Sequence, residues 1–268
     1  MKIDFHTHCF PDALAPRAME SLTKTFSTAE NLGAHTDGTA RGARELLAGA
    51  GIDRAVVCNI ATNAHQESRV NEFAISLAKD DFFIPLGSLH PDSENKEAEL
   101  DRLQAAGIKG IKLHPDYVHI LLSDERFDEI FSLVEARGML CVLHTGWDPI
   151  SPNLIHATPE MIRDVIDRHP SLRLVAAHMG GYAQAKGVIE HLLGRNIYLD
   201  TSLCHLRVDE REELIRILRE HGEDRLLFAT DTPWGDPTKE MEFLESAGLS
   251  PERLERIYYK NAVELLGI

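Results

Sequence analysis

Short apolar, β-prone runs alternate with longer amphipathic stretches along the whole chain. The pattern predicts strands at residues 2–8, 54–60, 82–90, 108–114, 139–145, 172–178, 196–201 and 226–230, eight in all. Several of them, Val56-Val57 and Leu226-Leu227-Phe228 for example, are continuous apolar runs rather than alternating ones. A strand reads that way when both of its faces are covered, as in a parallel sheet flanked by helices. Between the strands, helical patterns cover residues 40–50, 64–79, 93–106 and 124–137. Gly51, Gly107 and Gly138 follow three of these stretches, and glycine readily takes the left-handed conformation that ends a helix. Thr158-Pro159-Glu160 and Ser250-Pro251-Glu252 each put a capping hydroxyl ahead of a proline in the first turn.

Strand–helix pairs of about 25–35 residues, repeated with no second composition regime, predict an α/β fold. The architecture expected is a (β/α)8 TIM barrel, one domain spanning residues 1–268. An open doubly wound sheet would need a glycine-rich phosphate loop after its first strand, whereas here that turn reads His6-Thr7-His8-Cys9-Phe10-Pro11. Three loops, at residues 31–42, 147–159 and 232–238, are longer or richer in Pro and Gly than the rest. The chain's only tryptophans, Trp147 and Trp234, lie in two of them, where they serve as packing plugs or as pocket walls.

Composition narrows the partners. A hydrophobic fraction of 43% and a charged fraction of 26% describe an ordinary globular protein with ample core. The net charge of −15, with no basic stripe, disfavours nucleic acid or any other partner held through phosphates. Four widely spaced cysteines form no CxxC pair and read as small buried hydrophobes in a reducing compartment; Cys9, beside the histidine pair, is the one placed to reach a site. The amino terminus carries Asp4 and lacks the apolar core of a signal peptide. No run approaches the roughly 18 uninterrupted apolar residues of a membrane span. These features lead to the expectation of a cytoplasmic protein with a small-molecule substrate and no membrane partner, and they leave a homo-oligomer open.

The ends of the strands carry the chemistry. Five apolar runs finish on histidine, at His6-Thr7-His8, His90, His114, His144 and His178, and a sixth finishes on Asp231. Turn formers are the usual residues at such positions, so repeated imidazoles there need a cause. In a closed parallel barrel all carboxyl ends meet at one mouth. Imidazole and carboxylate gathered at one point are a ligand set for a divalent metal, which can acidify a bound water. His6 and His8, at i and i+2, share a strand face, and so do Lys112 and His114. Asp4 has the parity of His6 and His8 and is a partner open to Lys112. His114 and His90 precede prolines and are read as substrate or supporting contacts. His119, His156 and His205 follow strands and stand as candidates for the mouth, while His169, His191 and His221 are read as surface groups.

Taken together, Asp4-Phe5-His6-Thr7-His8, Lys109-Gly110-Ile111-Lys112-Leu113-His114-Pro115, Leu143-His144-Thr145-Gly146, Ala177-His178-Met179-Gly180-Gly181 and Ala229-Thr230-Asp231-Thr232-Pro233-Trp234 resemble the amidohydrolase superfamily. The likeness is to the branch that includes aminocarboxymuconate-semialdehyde decarboxylase. It implies that His6, His8, His144 and Asp231 hold one divalent metal and that Asp231 also shuttles a proton. It implies that His178 is an electrophile or general acid/base, or the ligand of a second metal. Lys112 and His114 would contact substrate, with carbamylated Lys112 as the alternative that bridges two metals. Zinc is the metal expected first because imidazole outnumbers carboxylate, with manganese, iron and cobalt also suited to such a site.

The leading expectation is a metal-dependent hydrolase acting on a C–N or C–O bond of a small substrate. A metal-dependent decarboxylase of an unsaturated or aromatic acid is the runner-up; the compact chain leans toward hydrolysis. A TatD-like nuclease would carry a glutamate where this chain has Lys112 and His114. A histidinol-phosphatase-type phosphoesterase would show a histidine soon after the last aspartate, where Thr232-Pro233-Trp234 stands. A barrel that only binds metal or metabolite is the non-enzymatic alternative.

Overall fold

The computed structural model describes residues 1–30 and 33–268, the side chains of 27–30 excepted, so the first two residues of the 31–42 loop lie outside the described residues. Eight parallel strands run side by side in chain order: β1 (Ile3–Thr7), β2 (Arg54–Cys58), β3 (Phe83–Ser88), β4 (Gly110–Leu113), β5 (Leu140–Leu143), β6 (Arg173–Ala176), β7 (Tyr198–Asp200) and β8 (Leu226–Leu227). Backbone bonds from Phe5 N–H to Phe228 O (2.8 Å) and from Asp231 N–H to His6 O (2.8 Å) join the last strand back to the first. The expected (β/α)8 barrel is the fold. The strands end one to three residues earlier than the apolar runs, and His8, His114, His144 and His178 lie just past the ends of β1, β4, β5 and β6, at the mouth.

The helices are α1 (Ala15–Glu30), α2 (Ala40–Gly49), α3 (Glu67–Leu77), α4 (Lys96–Ala105), α5 (Pro115–Val118), α6 (Glu125–Ala136), α7 (Pro159–Arg168), α8 (Ala185–His191), α9 (Arg211–Glu220), α10 (Pro237–Ser246), α11 (Pro251–Glu255) and α12 (Asn261–Leu266). A π-helical turn, Arg256–Lys260, links the last two. Helix α6 shows why they pack: Phe127, Ile130, Phe131 and Val134 fall at helical spacing on one buried face. Each such side chain contributes about 1.5–3 kcal/mol by leaving water. Both anticipated caps form, with Thr158 Oγ1 accepting from Met161 N–H at 3.3 Å and Ser250 Oγ from Arg253 N–H at 3.2 Å.

Alternate strand residues fill the lumen. Val56, Cys58, Ile84, Leu86, Leu140, Val142, Val175 and Leu227 form an apolar cluster there. Lys112 pairs in register with Val142, so it too faces inward. On β1 the register shifts: Asp4 opposes Ala55 and Thr7 opposes Val57, three steps against two. A bulge of this kind re-aims side chains next to a site. Here Phe5 joins the lumen cluster while the neighbouring His6 reaches the mouth. All four cysteines are free and buried, as expected. Among the described residues, no helix is long and apolar enough to cross a membrane.

Candidate active site

The carboxyl ends of the strands open into a cavity of about 520 Å³ whose lining includes His6, His8, Lys112, His114, His144, His178 and Asp231. These are the site residues anticipated from the sequence, brought together from the ends of five strands. Asp231 Oδ1 lies 3.0 Å from His8 Nε2 and 3.4 Å from His6 Nε2. The three side chains are close enough to share one ion. Tetrahedral donors ~2.1 Å from a zinc ion stand ~3.4 Å apart, so the spacing fits. The chemistry of the donors fits as well. His8 Nδ1 faces the Cys58 carbonyl at 2.8 Å, which only accepts, so the proton sits on Nδ1 and Nε2 turns a lone pair inward.

His144 is placed differently from His6 and His8. Its Nδ1 lies 3.1 Å from His178 Nε2 at the site, while its Nε2 points to Asp148 Oδ2 (3.4 Å) and Asp116 Oδ2 (3.8 Å). It therefore groups with His114 and Asp116, beside the His6–His8–Asp231 set rather than within it. The His114 ring is stacked between Tyr117 and His144, with centroids 3.8 and 3.9 Å away. It lines the cavity.

Electrostatics disfavours protonation of His6 and Asp231. Burial, reinforced by the Lys112 charge, lowers the pKa of His6 to about 4. Burial pushes the Asp231 carboxyl up, but His6, His8 and His178 outweigh it and hold the group at about 2. Burial also lowers His114, His144 and His178. Asp148, by contrast, is raised to about 7 by burial, with Asp116 adding to it. Lys112 Nζ sits 3.0 Å from His6 Nε2. Asp4 is not needed as its partner: that carboxylate accepts from Thr230 N–H (3.0 Å), Thr230 Oγ1 (2.5 Å) and His6 N–H (3.1 Å).

Two of the site residues occupy the left-handed region of backbone space, His178 at φ 54° and Asp231 at φ 64°. Such conformations cost about 1–3 kcal/mol and persist only where the surroundings impose them. Gly146, just beyond His144, has φ 89° and runs so close to the next loop that a Cβ would lie 2.1 Å from Tyr182 N. The outer walls of the cavity are apolar and aromatic, including Phe10, Leu22, Phe73, Trp147, Tyr182 and Trp234. Both tryptophans thus serve as pocket walls. Cys9 reaches the lining too.

Other expectations are corrected. His90 does not line the cavity; its N–H bonds Glu67 at 2.6 Å and its Nδ1 accepts from Asp92 N–H. His169 and His221 are buried rather than on the surface, since each has an internal partner: Asp128 at 2.8 Å and the Ile197 carbonyl at 2.9 Å. His156 is buried against Asp116, and the half-buried His205 pairs with Glu240, so neither lines the cavity. Asp200, Ser202, Asp116 and Asp148 were missed. Asp200 carried a usable signal, because Ile197-Tyr198-Leu199 is another apolar run that ends on a carboxylate.

A sequence-family model described as Amidohydrolase matches residues 3–268. Gamma-resorcylate decarboxylase of Rhodococcus jostii is 27% identical over 215 residues, which are 73% of this chain and 60% of that enzyme. The chain thus spans less than two thirds of that relative's length. Among solved structures, an uncharacterised TIM-barrel protein from Bordetella bronchiseptica aligns with a TM-score of 0.78 at 20% identity, covering 99% of this chain and 98% of that one. A dihydroxybenzoic acid decarboxylase from a Polaromonas species, with bound manganese and the inhibitor 2-nitroresorcinol, aligns with a TM-score of 0.68 at 18% identity, covering 99% and 96%. Extending over nearly the whole barrel, the family model places the chain in the amidohydrolase family, while the solved structures share its fold.

Proposed function

We propose that this protein is a metal-dependent, non-oxidative decarboxylase of a hydroxylated aromatic acid. The likeness to gamma-resorcylate decarboxylase carries the reading. The site is compatible with it: ionisable groups form the cavity floor and aromatic side chains its walls, a slot for a flat ring with polar substituents at one end. This order reverses the one expected from the compact chain.

His6, His8 and Asp231 would hold the metal, with His144 and His178 completing its surroundings. Zinc suits the imidazole-rich set, and manganese, present in the Polaromonas structure, suits it as well. When bound, the metal supplies Lewis acidity toward the oxygen substituents of the substrate. The buried Lys112 ammonium offers positive charge to the carboxylate or phenolate, and His114 contacts the ring edge. Carbon dioxide leaves without the bonding pair, which stays on the ring carbon, and that carbon needs one proton. Asp231, ionised at rest, accepts a proton as substrate binds and returns it to this carbon.

A second reading is hydrolysis of a C–N or C–O bond at the same centre, favoured by the family description over residues 3–268. The two separate in one assay. Metal-loaded protein is offered hydroxybenzoates, amides, esters and lactones, with carbon dioxide and acid release followed together. Carbon dioxide from a hydroxybenzoate supports decarboxylation; acid release from an amide, ester or lactone alone overturns it.

A further inference from the structure

Asp200, at the end of β7, contacts the His6 imidazole directly and that of His178 through Ser202. Its Oδ2 lies 2.9 Å from His6 Nδ1. Its Oδ1 accepts from the backbone N–H of His178 at 3.0 Å, from that of Ser202 at 3.1 Å, and from the Ser202 hydroxyl. That hydroxyl in turn lies 2.8 Å from His178 Nδ1. Asp200 is fully buried, and Ser202 and His178 nearly so.

Counting protons fixes the direction of each bond. Backbone N–H groups only donate, so Oδ1 acts as an acceptor. The Ser202 hydroxyl has one proton, spent on Asp200, and it offers a lone pair to His178 Nδ1. His178 Nδ1 must therefore carry hydrogen. His6 Nδ1 likewise donates to Oδ2, and the Lys112 ammonium, a donor only, faces His6 Nε2 at 3.0 Å from the other side.

We infer that Asp200 and Ser202 are positioning residues that set the tautomers of His6 and His178 together, holding both protons on Nδ1 so that both Nε2 atoms carry lone pairs, that of His6 facing Lys112 Nζ and that of His178 accepting from His144 Nδ1 at 3.1 Å. His178 then enters the reaction as a ligand or base and not as a general acid. One carboxylate thus prepares two donors from strands three apart in the barrel, whichever bond the enzyme cleaves. A metal-binding histidine with its far nitrogen held this way typically loses about 10- to 100-fold in metal affinity when the support is removed.

The test is long-range proton–nitrogen correlation on metal-free protein labelled with 15N-histidine, the rings assigned through His6→Gln and His178→Gln spectra. His6 and His178 should both show protonated Nδ1. Ser202→Ala should release His178 alone, Ser202→Thr should restore it, and Asp200→Asn should release both rings and weaken zinc binding about 10- to 100-fold by calorimetry. A His178 found protonated on Nε2, or a tautomer unmoved by Ser202→Ala, overturns the assignment. Unchanged zinc affinity in Asp200→Asn does the same. Should Asp200→Asn fail to fold, the Ser202 pair decides alone.

Discussion

Asp231 concentrates the account's chemistry in one side chain. It contacts two imidazoles, stands in a strained backbone conformation and is ionised at rest. Asp231→Asn keeps the size but removes the charge and the proton carrier. The rate should fall by about 10³-fold or more, while circular dichroism and the unfolding midpoint show a folded barrel. A variant with near-normal turnover would remove Asp231 from the mechanism. Lys112→Met tests a different role. Removing the ammonium leaves His6 in place, so KM for an anionic substrate should rise about tenfold or more, and an equal loss for a neutral substrate would contradict substrate-charge recognition. The residues predicted here were legible because histidine and aspartate at the ends of apolar runs are conspicuous. Asp116, Asp148 and Ser202 were not, because they follow strand ends by two to five residues, where polar groups are ordinary turn formers.

At the scale of elements, hydrophobic periodicity read well because parallel strands and their covering helices differ in period. The predicted caps at Thr158 and Ser250 formed because a hydroxyl at that position has local unpaired N–H groups to satisfy. The bulge in β1 was invisible, being a matter of register between two strands rather than of either one. His6 and His8, two residues apart at the end of β1, both line the cavity, yet their neighbour Phe5 also turns inward. Packing gives two checks. Phe131→Ala, in the buried face of α6, should lower the unfolding free energy by about 3–5 kcal/mol in urea titration. Gly146→Ala should cost roughly 2–4 kcal/mol, since a Cβ would collide with the Tyr182 backbone at a positive φ. Neutral behaviour at position 146 would mean that the two loops are not held in contact.

For the whole molecule, closure of eight strands is what assembles a site from positions 6 to 231. The fold and most of the floor were readable from sequence, but the ranking of hydrolysis and decarboxylation was not, since both use the same polar set. Binding of a metal to the folded state alone stabilises it by mass action. Chelator-treated protein should therefore lose activity and unfold at lower temperature, and both should return with zinc or manganese; activity that survives complete metal removal would exclude a metal-dependent reaction. The most direct test of the central claim is turnover of gamma-resorcylate by metal-loaded protein in heavy water, read by mass spectrometry. The account predicts one molecule of carbon dioxide per substrate and one deuterium on the ring carbon that lost it, both absent in Asp231→Asn. Unchanged substrate alongside ready cleavage of an amide, ester or lactone would contradict it.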